Sequence, residues 1–584
     1  MNDSPPPSPS PAAAAHWTRW VPALRLMRGY RREWLGHDLL AGLVLTAVLI
    51  PVGMGYAQAS GLPPIHGLYA TVLPLLAYAL FGPSRVLVLG PDSTLAAVIA
   101  AIIVPLSAGS PGRALALAGA LALLTAAFQV LLGLARLGMV ADLLSKPIRL
   151  GFMNAIAFTV IISQLPGLMG ARGVSGSIPD RVVALVAIVR DGLVSPTAVA
   201  FGLGSLVALL LLRRWRPRWP AVLLVVVAAT ALSALLLRHG DADLPILGTI
   251  PRGLPLPAWP GIGWHDVVAL APGALIIALL SLADTSVLSR TLAARDGSRV
   301  DQNQEMVALG LANAAAGLFQ GFPVSSSSSR TPVAEAAGAR TQLTGVFGAA
   351  GIVAVLVLAP GLLQTMPIAL LSAVVIVACL SFADPKGLWA LRRQRRVEFL
   401  LALVCFAGVV LLGVLEGIGL GIGLSLMVLI WNTWHPYSAV LVRVDGRKGF
   451  HDALRHPTGR TVPGLVLFRW DAPLFFANAE VFRERALQAL DEAPTPTVWL
   501  VVAADAMTDI DTTAAESLGE LMAELRQRQV QLHLAGLKGP VRDRLFHYGL
   551  TPDLTEARFS PTVGAAVNLY RATHPVNWKD WDED

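Results

Sequence analysis

From residue 38 to 436 the chain runs in long apolar stretches broken by short joints rich in Gly, Pro and Arg. Seven stretches fall at roughly 38–57, 67–82, 91–107, 112–134, 147–169, 197–212 and 219–238. Seven more follow near 267–288, 304–319, 329–338, 343–361, 366–383, 398–415 and 417–434. About 20 apolar residues are needed for a helix to cross about 30 Å of hydrocarbon, and in lipid only helices and closed barrels satisfy every backbone N–H and C=O. The pattern predicts a polytopic α-helical membrane protein of fourteen segments, seven and seven.

Two stretches are too short to cross as helices. They are the third, after Val86-Leu87-Val88-Leu89-Gly90-Pro91, and the tenth, after Phe322-Pro323-Val324-Ser325. Each follows a short β-like run with a Pro, and each stands third in its set of seven. Interrupted segments at matching positions of two halves predict an inverted-repeat transporter; the alternative is two ordinary Pro kinks.

Past 436 the pattern changes. Leu465–Trp470, Thr497–Val502 and Gln531–Gly536 read as buried strands, with helical periodicity near 479–490 and 514–528. Strands alternating with helices predict a small α/β domain. Residues 437–584 hold 16 Lys+Arg and 20 Asp+Glu, whereas residues 1–436 hold 29 and 18. A membrane body of net +11 thus carries a soluble tail of net −4. The domains expected are an N-terminal tail (1–37), a transport domain (38–436), the α/β domain (437–575) and an acidic C-terminal tail (576–584).

Overall, 54% of the 584 residues are hydrophobic and 14% charged, against about a quarter charged in soluble proteins. That excludes a soluble multidomain enzyme. Residues 1–15 are too polar and Pro-rich to fold and have no signal-peptide pattern; the basic stretch Arg19, Arg25, Arg28, Arg31 and Arg32 follows. Threading the segments from an inside N-terminus gathers Arg85, Arg136, Lys146, Arg149, Arg213–Arg218, Arg290–Arg299, Arg340 and Arg392–Arg396 on one rim, with the tail on the same side. The positive-inside rule makes that rim cytoplasmic, so both termini are expected in the cytoplasm of a cell inner (plasma) membrane. Because the rim accounts for the positive charge, the partner expected is the lipid bilayer and not nucleic acid. Five Lys against 40 Arg fit a GC-rich bacterial genome.

Cys379 and Cys405 lie inside apolar runs, so neither a disulfide framework nor a metal site is expected, and no cofactor. There is no G-x-x-x-x-G-K-[ST] phosphate loop, which disfavours ATP-driven pumping and leaves ion-coupled or facilitated transport.

The densest chemistry is Ser325-Ser326-Ser327-Ser328-Ser329-Arg330-Thr331. A helix starting there offers unpaired N–H groups and the positive end of its dipole; Ser328 and Ser329 add hydroxyl donors, and Arg330 adds a guanidinium suited to an oxyanion. Its counterpart starts at Gly90-Pro91-Asp92-Ser93-Thr94, where Gly90 admits close backbone approach and Ser93 adds a hydroxyl. Two facing helix starts at mid-membrane make an anion cradle without a metal. Asp92 is either a proton carrier or the N-cap of its own helix. Asp284 stands in an apolar segment, where a charged Asp costs at least about 2–3 kcal/mol, so it is a candidate for carrying the coupled proton; the alternative is a structural carboxylate paired with Arg290. Pro51, Gly53 and Gly55 are expected to loosen the first segment and bring Tyr56 to the cradle as an aromatic wall; otherwise Tyr56 is an interfacial anchor.

These motifs, in order and spacing, resemble the SulP family of anion transporters, the sulfate permease family that includes pendrin and prestin. The resemblance spans about 30–570. It is carried by Ile50-Pro51 through Gly55-Tyr56-Ala57, Gly61-Leu62-Pro63-Pro64, Ser84-Arg85 to Gly90-Pro91, Asn303-Gln304-Glu305, and Gly321-Phe322-Pro323 through Ser329-Arg330-Thr331 to Gly338-Ala339-Arg340-Thr341-Gln342. It implies fourteen segments in a 7+7 inverted repeat, core and gate domains, alternating access and a homodimer. It also implies anion binding by Ser329 and Arg330 between the third and tenth half-helices, with Tyr56 as the first-segment aromatic and Asp284 as the carboxylate linked to proton or sodium coupling. Asp92, often apolar in the family, and Val52, often Gln, depart from the pattern. The tail resembles a STAS domain, a cytoplasmic module related to anti-sigma-factor antagonists. That likeness makes Thr512, in Asp509-Ile510-Asp511-Thr512-Thr513, a candidate phosphosite; Asp511 or Thr512 equally suits an N-cap.

The function expected is secondary transport of a small inorganic anion, sulfate first, coupled to protons with sodium as the alternative ion. Bicarbonate and C4-dicarboxylates are the rival substrates; an anion channel or STAS-linked sensor is the rival of another class.

Overall fold

The computed structural model describes residues 21–23, 29–136, 145–171, 178–216, 219, 221–238, 244–249, 251, 253–296, 300–327, 329–550 and 554–581. Most of the 1–37 tail and Ser328 therefore lie outside the described residues. Two compact units divide at Gly423/Leu424, within a helix.

In chain order the first unit contains α1 (Trp34–Ala59), α2 (Ile65–Phe81), β1 (Leu89–Gly90), α3 (Ser93–Ser107), α4 (Pro111–Leu134), α5 (Lys146–Leu168), α6 (Ile178–Arg190), α7 (Pro196–Trp215) and α8 (Ala221–Arg238). Then come α9 (Trp264–Asp296), α10 (Gln302–Leu318), β2 (Ser325–Ser326), α11 (Arg330–Ala336), α12 (Leu343–Leu358), α13 (Gly361–Gln364), α14 (Ile368–Phe382), α15 (Pro385–Gln394) and α16 (Arg396–Leu411), and α17 (Val414–Trp434) is the helix in which the units divide. Each expected apolar segment holds a helix; α6, α13 and α15 are additional. Among the described residues, eight helices are long and apolar enough to cross a membrane.

The two halves interlock. The main packing pairs join a helix of the first seven segments to one of the second: α4 with α9 and α10, α2 with α10, and α1 with α12 in one group; α5 with α14 and α16, and α7 with α14, in another. These two groups are the core and the gate, and α1 against α14 and α3 against α5 connect them.

Pro51 and its glycines do not loosen α1, which runs unbroken from Trp34 to Ala59. Gly53 instead packs against α2. A Cβ on Gly53 would stand 3.1 Å from the Gly67 carbonyl oxygen, and one on Gly67 would collide with the Gly53 carbonyl. Small residues where membrane helices cross let the backbones approach. Asp38, fully buried in α1, fastens the entry to α12. Its carboxylate accepts from Arg340 N (2.7 Å), Thr341 N (3.0 Å), Thr341 Oγ1 (2.6 Å) and Thr344 Oγ1 (3.0 Å).

The second unit holds β3 (Ser438–Arg443), β4 (Phe450–Asp452), β5 (Leu465–Trp470), α18 (Ala479–Asp491), β6 (Trp499–Ala503), α19 (Thr512–Gln527), β7 (Gln531–Ala535), α20 (Gly539–His547), β8 (Phe559–Ser560) and α21 (Val563–Thr573). Sheet order is β4-β3-β5-β6-β7-β8; β5 to β8 are parallel and β3 antiparallel to both neighbours. Alternate side chains bury opposite faces, as period-2 strands require. Val466, Phe468, Leu500 and Val502 pack against α18 and α19, while Leu467, Trp499 and Val501 pack against α21. On that second face His533 is buried and stacked on Trp499 with ring centroids 3.6 Å apart, and burial pushes its pKa down to about 4. Residues past 575 pack onto this unit: Val576 and Trp578 touch its core, and Asp580 pairs with Arg443 at 2.6 Å.

Candidate anion site

The two broken segments begin on one antiparallel ladder, with Leu89 opposite Ser326 and Gly90 opposite Ser325. Ser327 N donates to Val88 O (3.0 Å), and Val88 N donates to Thr331 Oγ1 (3.1 Å). Antiparallel pairing brings the chains in from opposite directions, so the starts of α3 and α11 meet. α3 has 15 residues and α11 seven, about 22 Å and 10 Å of helix, both short of a bilayer.

Side chains from neighbouring helices hold this ladder. Asn313 of α10 accepts from Val324 N (2.7 Å) and donates to Val324 O (3.1 Å) and Gln129 Oε1 (3.0 Å); Gln129 in turn donates to Ser281 Oγ (3.0 Å). Thr285 Oγ1 donates to Ser326 Oγ (3.0 Å), and Gln342 Nε2 donates to Ser84 O (2.9 Å) and Leu87 O (3.2 Å). A satisfied buried network of this kind fixes one conformation.

Arg330 is 2% exposed. Its backbone N donates to Ser327 Oγ (3.1 Å), and its Nη2 donates to the Pro91 carbonyl (2.6 Å), tying one half-helix to the entry of the other. Nε and Nη1 are buried without a partner, and no carboxylate forms an ion pair with the guanidinium among the described residues. Arginine stays charged, and an uncompensated buried charge costs several kcal/mol, so this group calls for an anion. Gly90 makes room for it. Its φ is +149°, and a Cβ there would stand 3.2 Å from Arg330 Nη1.

Ser93, nearly buried, is the first residue of α3; Asp92 before it is extended and accepts from Thr94 N at 2.9 Å, the N-cap alternative. Tyr56 is 4% exposed, beside the Ser93 hydroxyl and within the electrostatic reach of Asp92 and Arg330. Its burial rules out the surface-anchor alternative. Ser329 is exposed, with its hydroxyl 3.2 Å from Ser327 Oγ. Asp284, half-buried, precedes Thr285 on α9. It makes no hydrogen bond or ion pair to a described residue, so the pairing with Arg290 is not formed. Thr512 is exposed in the second unit, where Asp511 is the cap of α19, accepting from Ala514 N at 2.8 Å.

Sequence reasoning named Ser327 within the serine run but not its bond to the Arg330 backbone, and it missed the Pro91 carbonyl and the Asn313–Gln129 pair. It also gave no role to Glu305, a fully buried carboxylate that accepts from Tyr78 OH (2.6 Å) and Ser84 Oγ. Polar residues inside apolar segments were the available signal.

Comparison with known proteins bears on the family and the fold. The sequence profile of the sulfate permease family matches residues 35–405, and that of the STAS domain residues 456–566. A probable sulfate transporter of Mycobacterium tuberculosis is 41% identical over 552 residues, 94% of this chain and 98% of its own. Prestin of Tursiops truncatus is 30% identical over 495 residues, 80% of this chain and 66% of its own. The fold is that of murine Slc26a9, an anion transporter solved in an inward-facing state: TM-score 0.86, 24% identity, with 96% of each chain covered. The transmembrane domain of the cyanobacterial bicarbonate transporter BicA superposes with TM-score 0.58 over 68% of this chain and 97% of its own, at 24% identity. With a family profile matching more than half of its length and a 41% identical relative aligned along 94% of it, the chain belongs to the sulfate permease family.

Proposed function

We propose that this protein is a secondary active transporter of small inorganic anions that takes up sulfate with protons by alternating access. One observation carries the reading: the buried Arg330 guanidinium, with Nε and Nη1 unpartnered where two half-helices begin. An oxyanion there gains charge-assisted hydrogen bonds from Arg330, hydroxyls from Ser93 and Ser329, the helix dipoles, and Tyr56 as a wall. Sulfate is preferred because the mycobacterial relative is described as a probable sulfate transporter. Asp284 carries the coupled proton, since a carboxylate without a partner in an apolar helix is stabilised when a proton cancels its charge. The core and gate are two separately packed groups that can move against each other. Both termini face the cytoplasm, because that orientation gathers the basic joints on the inner rim of the plasma membrane. The protein works as a homodimer, and the STAS domain regulates it, with Thr512 as a candidate phosphosite.

The test is uptake of radiolabelled sulfate into proteoliposomes under an imposed pH gradient, with bicarbonate and a C4-dicarboxylate as competitors. Saturable uptake accelerated by an inward proton gradient is expected; Asp284→Asn removes the acceleration and keeps anion binding. Flux that never saturates and ignores the proton gradient would favour a channel, and stronger competition by bicarbonate or dicarboxylate would reassign the substrate.

A further inference from the structure

We propose that α15 and the first turn of α16 form a binding site for anionic phospholipid headgroups of the cytoplasmic leaflet. At ten residues, about 15 Å, α15 is too short to cross a membrane. It starts on Asp384, which accepts from Gly387 N at 2.7 Å, and it buries one large side chain, Leu391. Its other side is unusual in carrying dense positive charge and exposed apolar surface together.

Lys386, Arg392, Arg393, Arg395 and Arg396 are all exposed, and the carboxylates in this stretch are Asp384 and Glu398. Asp384 is the helix cap, and Glu398 pairs with Arg395 at 3.3 Å. That leaves Lys386, Arg392, Arg393 and Arg396 without an acidic partner among the described residues. Beside them Trp389 is 58% exposed and stacks on Phe399 with ring centroids 5.9 Å apart, while the Arg392 guanidinium lies 5.4 Å from the Trp389 ring centre. Val397 and Leu400, also exposed, continue the apolar strip along α16. These cations and Trp389 line a cleft of about 1500 Å³.

A soluble anion needs the guanidinium groups but gains nothing from an exposed Trp and Leu. An apolar partner needs those residues but would have to desolvate four unpaired cations. A phospholipid meets both requirements, with its phosphate among Lys386, Arg392, Arg393 and Arg396 and its upper acyl chain against Trp389 and Leu400. Tryptophan prefers this interfacial level, and juxtamembrane basic clusters attract anionic headgroups. The inner-leaflet assignment rests on the orientation proposed above; the lipid chemistry does not.

The experiment uses the full chain in neutral detergent and measures, by native mass spectrometry, the affinity for phosphatidylglycerol and for phosphatidylcholine of the same acyl length. Phosphatidylglycerol is expected to bind more tightly, and the combined variant Lys386→Gln, Arg392→Gln, Arg393→Gln, Arg396→Gln to lose at least about tenfold of that affinity while phosphatidylcholine binding stays unchanged. Inorganic phosphate should not displace the lipid. Trp389→Ser keeps every charge and should weaken phosphatidylglycerol severalfold, which covers the case in which the combined variant fails to fold. Unchanged phosphatidylglycerol affinity in a folded variant, or displacement by inorganic phosphate as effective as by lipid, would overturn the proposal. Lipid binding is read without transport, so failure of the transport reading and failure of this one are separable.

Discussion

The two half-helices occupy corresponding places in the two repeats, yet their first residues differ in chemistry. α3 opens behind Asp92, whose carboxylate is satisfied locally by Thr94 N. α11 opens on Arg330, preceded by Ser329, which has helical backbone angles (φ −98°, ψ −37°) and no side-chain cap bond. One start carries a carboxylate already used as a cap; the other carries a guanidinium with donors left over. The ladder sets the two starts against each other, and the side chains differ, which is why the proposed anion site lies on the α11 side.

Gly90 joins the two ends, so substituting it should have the largest effect on the comparison. Gly90→Ala places a methyl 3.2 Å from Arg330 Nη1 in a backbone region costly by about 1–3 kcal/mol for other residues. Anion affinity should fall roughly tenfold or more in a binding titration, at about 1.4 kcal/mol per decade. Asp92→Asn sharpens the comparison on the other side. Asn caps helices about as well as Asp, so helix α3 should persist, affinity should change by only about threefold, and uptake should stay proton-dependent; loss of that dependence in uptake measured against external pH would transfer coupling from Asp284 to Asp92. The smallest effect is expected from deleting residues 440–584. Rate, expression or stability should change, but the ranking of sulfate, bicarbonate and dicarboxylate as competitors should not, and a changed ranking would give the STAS domain a part in selectivity.

Much of this was legible in the sequence because it was local. The half-helices were marked by their length and by Pro91 and Pro323, and the structure starts them at Ser93 and Arg330. The α/β tail showed itself through strands whose two faces are both apolar. Gly53 was misread for a physical reason: a glycine that loosens a helix and one that admits another backbone look alike until the partner, here Gly67, is known. The Asn313–Gln129 contact was hidden by its separation of 184 positions. α15 escaped because its arginines read as a rim joint, and only the Trp389–Phe399 stack defines its other side.

The most direct test of the central claim is equilibrium binding of labelled sulfate to the purified full-length protein and to Arg330→Ala, each checked for folding by thermal unfolding. Truncating a buried charge that pairs with a ligand costs about 2–5 kcal/mol. The account predicts that the variant folds and loses at least about thirtyfold in affinity. A folded Arg330→Ala protein that binds sulfate as tightly as the unaltered chain would contradict it and put the anion site elsewhere.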